Sequence, residues 1–293
     1  MGIPLDLART IAVVIDEGTL EAAARALRIT PSAVSQRVKA LEERLGRVLL
    51  VRSRPVRATE AGAAVVRLAR QMALLEHDAL AEAGIDAEQA APTSIGIAVN
   101  ADSLATWFLP ALAEVARQHP VVFELHREDE EYTTTLLESG QVMGAVTSRG
   151  VAVAGCVVRP LRRTAYRAVA SPDYLARWLP DGATRSALAR APYVDFDRRD
   201  ELQAGFLRAQ RVATQPPRHY VPASSEFAAA VRMGLGWGML PDFQIGDALG
   251  TGALVELVPG SHTDVPLFWQ QWNLRSPLLE TIASAVADAA RVP

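Results

Sequence analysis

The sequence predicts an α/β protein in three parts: an N-terminal winged helix-turn-helix, a long linker helix, and a two-lobed α/β body. Three observations carry this expectation. Two helical patterns separated by a very short turn precede Gly46, and a helical stripe with heptad spacing runs from Ala61 to Ala79. From Ser94 onward, strand-like and helix-like segments alternate.

Composition bounds the alternatives. At 293 residues, two or three folding units are expected, and 49% apolar residues are ample for their cores. No 18-residue apolar stretch occurs, so no membrane span is expected. "MGIPLDLARTIAVV" carries acid and base within its apolar run and has no small-residue cleavage site, which argues against a secretory signal. Cys156 is the single cysteine; it excludes an internal disulfide and a Cys-rich zinc site, and fits a cytoplasmic setting. The net charge of −3 is unevenly spread: residues 1–60 carry 10 Lys+Arg against 7 Asp+Glu, and the remainder 20 against 26. A basic head on an acidic body suggests that the head meets a polyanion.

In the head, Leu7, Ile11, Val14 and Ile15 fall on one face of a first helix. Thr19 can cap a second, "LEAAARAL". Arg28-Ile29 leaves room only for a tight turn before "TPSAVSQRVKALEERLG", which opens with Thr30 as cap and Pro31 at the first helical position, and closes at Gly46. Its core face is Val34, Val38, Leu41 and Leu45; Ser32, Ser35, Gln36 and Lys39 share the opposite face. A helix-turn-helix enters the major groove with the N-terminal end of its second helix. Gln36 suits a bidentate adenine contact, Lys39 a guanine or a phosphate, and the serines either. Thr30 and Arg37 complete the residues assigned to DNA on this helix.

"VLLVRSRPVRATEAG" reads as strand, turn and return strand, a wing that presents Arg52, Arg54 and Arg57 to phosphates. Thr59 then caps a helix to about Ala83. Ala61, Val65, Leu68, Met72, Leu75 and Ala79 alternate at spacings of four and three, a seam that seeks another helix. A second copy of the chain would set two heads on a two-fold operator; packing on the chain's own domain is the competing reading. "AGIDAEQAAPTS" follows as a linker.

In the body, "SIGIAV", "VVFELH" and "VMGAVT" read as parallel strands around helical patterns at Ser103–Gln118 and Thr133–Ser139. A second set of strands and helices runs from Thr164, with a late strand "PLFWQQW" and a closing helix from Pro277. Two such halves make a clamshell with a ligand cleft. The five histidines are scattered singly, no Gly-x-Ser-x-Gly elbow occurs, and "GLGWG" lacks dinucleotide-fingerprint spacing. The sequence therefore predicts neither an enzyme, nor a metal site, nor a cofactor.

"AAARALRITPSAVSQRVKALEERLG" followed by "LLVRSRPVRATEAG" closely resembles the LysR-type transcriptional regulators. "AVNADSLATWFLPAL", "GAVTS" and "TRSALARAP" extend the resemblance to the ArgP/LysG branch, regulators of basic amino-acid export, over nearly the whole chain. The resemblance implies a DNA-binding domain over residues 1–59, a dimerising linker over 60–92 and a periplasmic-binding-protein-like effector domain over 93–293. Lobe I is expected at 93–163 and 268–293, and lobe II at 164–267. Further implied are promoter DNA and RNA polymerase as partners, a homodimer or dimer-of-dimers tetramer, and lysine or arginine as effector. A branch member described as a chromosome-initiation inhibitor implies the alternative of an architectural or replication-origin protein without effector control.

The family's effector sits between the lobes, which carries the assignment to Asn100, Asp102 and Ser103 after the first body strand and to Thr147 and Ser148 at the end of a neighbour. Glu128 and Asp129 are further candidates for a ligand cation, and from the other lobe Ser224, Ser225 and Glu226 begin a helix directed at the cleft, with Ser225 assigned to the effector. Ser103 and the helix amides suit a carboxylate, and Asp102 an ammonium or guanidinium. Asp102 can equally be a helix cap.

Overall fold

The computed structural model describes residues 2–84, 92–127 and 130–291. The head comprises helices α1 (Leu5–Glu17), α2 (Leu20–Ala26) and α3 (Pro31–Leu45), then a hairpin of β1 (Leu50–Val51) and β2 (Arg57–Ala58). α2 and α3 start on the expected hydroxyls: Thr19 Oγ1 accepts from Ala22 N–H and Thr30 Oγ1 from Ala33 N–H, both at 3.1 Å. Gly46 ends α3 at φ 63°, a left-handed geometry that costs glycine nothing. Ile11, Val14, Ala23, Val34, Leu41 and Leu49 are buried together as the head core.

Helix α4 (Glu60–Glu82) follows, capped by Thr59, whose Oγ1 accepts from Gly62 N–H at 3.0 Å. Its first half packs on α1, and Val65, Val66 and Ala69 join the head core. Lower down, Leu74 is wholly buried against the first body sheet.

That sheet is built from β3 (Thr93–Val99), β4 (Val121–Arg127) and β5 (Gly144–Thr147), with β3 central and parallel to both. Between β3 and β4 the expected single helix is two, α5 (Ala101–Ala105) and α6 (Phe108–Gln118). Thr106, at φ −125° and ψ −82°, breaks it, so the chain turns between the site-bearing residues and the core-bearing Phe108 face. Helix α7 (Glu130–Ser139) returns the chain to β5.

The second set starts with β6 (Cys156–Ala170), far longer than the strand read from Thr164. It is followed by α8 (Pro172–Trp178), α9 (Arg185–Leu188), β7 (Tyr193–Asp195), α10 (Leu202–Ala209), β8 (Arg218–Tyr220), α11 (Ser224–Arg232), β9 (Gly238–Pro241), α12 (Asp242–Ile245), β10 (Val255–Glu256), β11 (Thr263–Trp272) and α13 (Pro277–Ala289). The strands order as β10-β6-β11-β5-β3-β4, with β9 also on β6, and β7 pairs with β8 separately. β6 and β11 run antiparallel through both halves, and their register shifts between Leu267 and Phe268. On one side of that shift Phe268–Gln271 pair with β5; on the other, β6 goes on to β9 and β10. Trp269 and Trp272 pack in one core, while Trp237 stacks on Tyr193 in another, at 5.4 Å between ring centroids. Among the described residues no helix is long and apolar enough to cross a membrane, and no His/Cys/Asp/Glu group is placed to hold a metal.

Candidate functional site

Two surfaces concentrate the polar residues singled out in the sequence. On the head, Ser32, Ser35, Gln36 and Lys39 are exposed along α3 and face Arg52 across a groove that continues under Val48 and Val56. Arg54 and Arg57 are exposed on the same hairpin. Thr30 is exposed at the start of α3, its hydroxyl engaged as the cap. Lys39 lies 3.5 Å from Glu43 with both side chains in water, a pair that yields easily to a phosphate. Arg37 leaves this face: its Nη1 donates to Thr10 Oγ1 of α1 at 3.4 Å, because its place on the helix directs it at the neighbouring helix.

The heptad stripe on α4 divides. Ala61 and Val65 are taken up by the head core, Leu68 is half-buried, and Met72 and Leu75 are each 40% exposed, with Ala79 exposed below them. Because the head core takes up Ala61 and Val65, only the lower part of the stripe offers an apolar face to another helix.

The second surface is a cleft of about 340 Å³ between the two halves of the body. From the β3 side it is lined by Asn100 and Asp102, and by Arg127 at the end of β4; facing them are Tyr166, Arg199, Asp200, Gln203 and Gln244, with apolar walls from Phe196, Phe227 and Met239. The Asp102 carboxylate spans the cleft. Its Oδ2 accepts from the Tyr166 hydroxyl at 2.6 Å, and its Oδ1 from the Ser224 hydroxyl. Ser224 in turn accepts from Gln244 Nε2 at 2.6 Å. The N-cap of α5 is Asn100, which makes no side-chain cap bond, and both oxygens of Asp102 are engaged across the cleft.

Electrostatics sharpen this picture. Burial, followed by the charge and hydrogen bond of Asp102, pushes the Tyr166 hydroxyl well above the usual tyrosine range, so it stays a donor at ordinary pH. Burial also raises Asp200, opposed by the Leu202 and Phe196 N–H groups that its oxygens accept. Asn100 Oδ1, Ser103 Oγ and Gln203 Oε1 are buried without a hydrogen-bond partner among the described residues. Two of these are pure acceptors, and such atoms are costly unless a donor reaches them. Among the described residues that line the cavity, the carboxyls of Asp102, Asp197 and Asp200 stand beside the guanidiniums of Arg127 and Arg199.

Not every residue named from the sequence reaches this cleft. Thr147 is buried at the end of β5, where its Oγ1 accepts from Arg149 N–H at 3.1 Å; with half-buried Ser148 it shapes a turn outside the cleft lining. At the start of α11 the inward residue is Ser224, whereas Ser225 is exposed. Adjacent serines differ by about 100° around a helix, and only the approach angle of the chain decides between them. Glu128 and Asp129 lie outside the described residues. Tyr166, Asp200, Gln203 and Gln244 were not singled out in the sequence. Tyr166 alone left a signal, an aromatic with a polar tip amid the small residues of "TAYRAVA".

Both parts of the chain match known protein families. Residues 5–63 match the family described as "Bacterial regulatory helix-turn-helix protein, lysR family", and residues 88–291 match "LysR substrate binding domain". The chain is 44% identical over 284 residues to the lysine export transcriptional regulatory protein LysG of Corynebacterium efficiens, covering 96% of each. The crystal structure of ArgP from Mycobacterium tuberculosis superposes with a TM-score of 0.86 at 44% identity, covering 97% of this chain and 96% of that one. Full-length LysG from Corynebacterium glutamicum with bound effector Arg superposes with a TM-score of 0.77 at 39% identity, covering 98% of each.

Proposed function

The chain belongs to the LysR family of bacterial regulatory proteins, and from that premise we propose that it reads promoter DNA with its head and senses a cationic amino acid, arginine or lysine, in the cleft of its body. The observation that supports this most is the Asp102 carboxylate held between the halves beside two unpartnered acceptors, Asn100 Oδ1 and Gln203 Oε1. Acceptors and a carboxylate suit an ammonium or guanidinium, whereas Arg127 and Arg199 in the same lining suit an α-carboxylate. The cleft volume of about 340 Å³ falls at the small end of ligand pockets. The relatives point the same way: one is named for lysine export, and another holds the effector Arg. We assign the output to transcription of an amino-acid exporter gene, with RNA polymerase as partner.

On DNA, Ser32, Ser35, Gln36 and Lys39 read base edges or phosphates while Arg52, Arg54 and Arg57 hold the backbone. Leu68, Met72, Leu75 and Ala79 form the dimer seam, with residues 1–59, 60–92 and 93–293 as reader, linker and sensor. The effector-independent architectural alternative is not favoured, since the cleft is elaborately polar and regulators are the relatives. A mobility shift on DNA flanking the chain's own gene, with and without arginine or lysine, tests the proposal. A specific complex whose affinity or mobility changes with the amino acid is expected; no specific complex under any condition refutes it.

A further inference from the structure

The linker helix is bound to the body by side chains that simple packing does not require. Arg67 Nη1 donates to the carbonyl of Glu138 at 2.8 Å, and Arg70 Nη1 to the carbonyl of Gly140 at 2.6 Å. The second arm of Arg70 pairs with Asp16 of α1, so one guanidinium holds a carbonyl of the body and a carboxylate of the DNA-binding head together. Its side chain is only 15% exposed, which limits competition from water. Gly140 permits this approach. It sits at φ 75°, and a Cβ there would stand 2.6 Å from Arg67 Cβ, so any other residue would push α4 off the loop.

The loop that Arg70 grips is tied directly to the strand leading into the cleft. Met143 N–H donates to Gly96 C=O at 2.8 Å, and a Cβ at Gly96 would meet Gln141 O at 2.5 Å. β3 begins at Thr93, whose Oγ1 lies 3.0 Å from His77 Nδ1 of α4, and ends at Val99, one residue before Asn100 and three before Asp102. Asp16, Arg70, Gly140, Gly96 and Asp102 thus lie along one path made of hydrogen bonds, the short loop Gly140–Met143 and strand β3.

We propose that Arg70 is the residue through which occupation of the cleft is communicated to the reading head, acting as a coupling rather than a binding residue. The inference rests on the sensing role proposed above. A displacement of β3 and its attached loop moves the Gly140 carbonyl, and Arg70 transmits that movement to Asp16, and hence to α1, which packs on α3. Position on such a path is not itself coupling; coupling is a measured free energy between two sites.

The test uses the full chain and three variants: Arg70→Gln, Asp16→Asn and the double variant. Arginine affinity is measured by calorimetry, and the affinity and mobility of the complex with flanking DNA are measured with and without saturating arginine. The parent is expected to change its DNA affinity at least fivefold, or its complex mobility, on binding arginine. Arg70→Gln is expected to bind arginine within about twofold of the parent while its DNA response falls below twofold. Asp16→Asn, a change at a partly exposed carboxylate, is expected to lose most of the response too, and the double variant no more than Arg70→Gln alone. Variants that keep the parent's response overturn the coupling role and leave the sensing role intact. A parent that binds neither arginine nor lysine overturns both, and a parent that binds arginine without any change in its DNA complex overturns the coupling.

Discussion

Replacing Asp102 by asparagine removes one negative charge from the cleft while keeping the shape of the side chain. The Tyr166 hydroxyl, 2.6 Å from Oδ2, can donate to the remaining amide oxygen, and Ser224 can rotate to accept from the new amide nitrogen. The fold therefore exchanges two charge-assisted hydrogen bonds for neutral ones, at a cost of about 1 kcal/mol each. A bound guanidinium or ammonium loses its charged partner, and a hydrogen bond to a charged group contributes about 1.5–3 kcal/mol. At about 1.4 kcal/mol per decade, arginine or lysine should bind the variant roughly 10–100-fold more weakly. Calorimetric titration of parent and variant with arginine, lysine and glutamine measures this, and glutamine should show no comparable loss. If arginine binds Asp102→Asn within about twofold of the parent, the carboxylate only ties the halves of the body together, and the assignment of the cation to it is wrong.

Other consequences follow from the head, the linker and a buried acid. Gln36→Ala should flatten base preference at one operator position by about 1–3 kcal/mol, whereas Arg54→Ala should weaken binding evenly across sequences and lower the salt slope by about 1; competition assays at several salt concentrations separate the two. Met72→Asp with Leu75→Asp places two charges on the exposed part of the α4 stripe and should shift the assembly to monomers in sedimentation velocity. Asp195 is buried at the end of β7 beside Arg218, and burial, aided by Asp200, raises its carboxyl from 3.8 to about 6. A raised carboxyl means that the folded chain binds the proton more tightly than the unfolded chain, so its contribution to stability falls as pH rises from 3.8 to about 6. At about 1.36 kcal/mol per unit this is up to about 3 kcal/mol, and Asp195→Asn should lack it in unfolding curves compared at pH 4 and 7.5.

The head was nearly all legible in the sequence because its signals are local. Thr19, Thr30 and Thr59 each cap the helix they precede, and Gly46 ends α3, since capping depends on residues within one turn. The body was legible as alternation but not in its long strands. β6 starts at Cys156 rather than near Thr164, because "CVVRPLRR" mixes apolar and basic residues and only pairing with β11 makes it a strand. The break at Thr106 was hidden for the same reason: residues 103–118 keep helical periodicity while the backbone turns. In the cleft, Asn100 and Asp102 were readable from the strand-to-helix turn. Ser224 was readable as part of the helix start from the other lobe, but Tyr166, which donates to Asp102 from 64 residues away, and Gln244 of α12, which donates to Ser224, were not; no spacing rule links such residues. The α4 stripe shows the opposite limit, since a perfect heptad cannot say that the head core already takes up Ala61 and Val65.

The central claim is that this regulator recognises a cationic amino acid between the halves of its body. Titration of the full chain with arginine and with citrulline, which keeps the length of arginine and replaces the guanidinium by a neutral urea, tests it most directly. Saturable binding of arginine or lysine, at least tenfold tighter than citrulline, is the predicted result. Equal affinities for arginine and citrulline, or no saturable binding of any cationic amino acid, would contradict it.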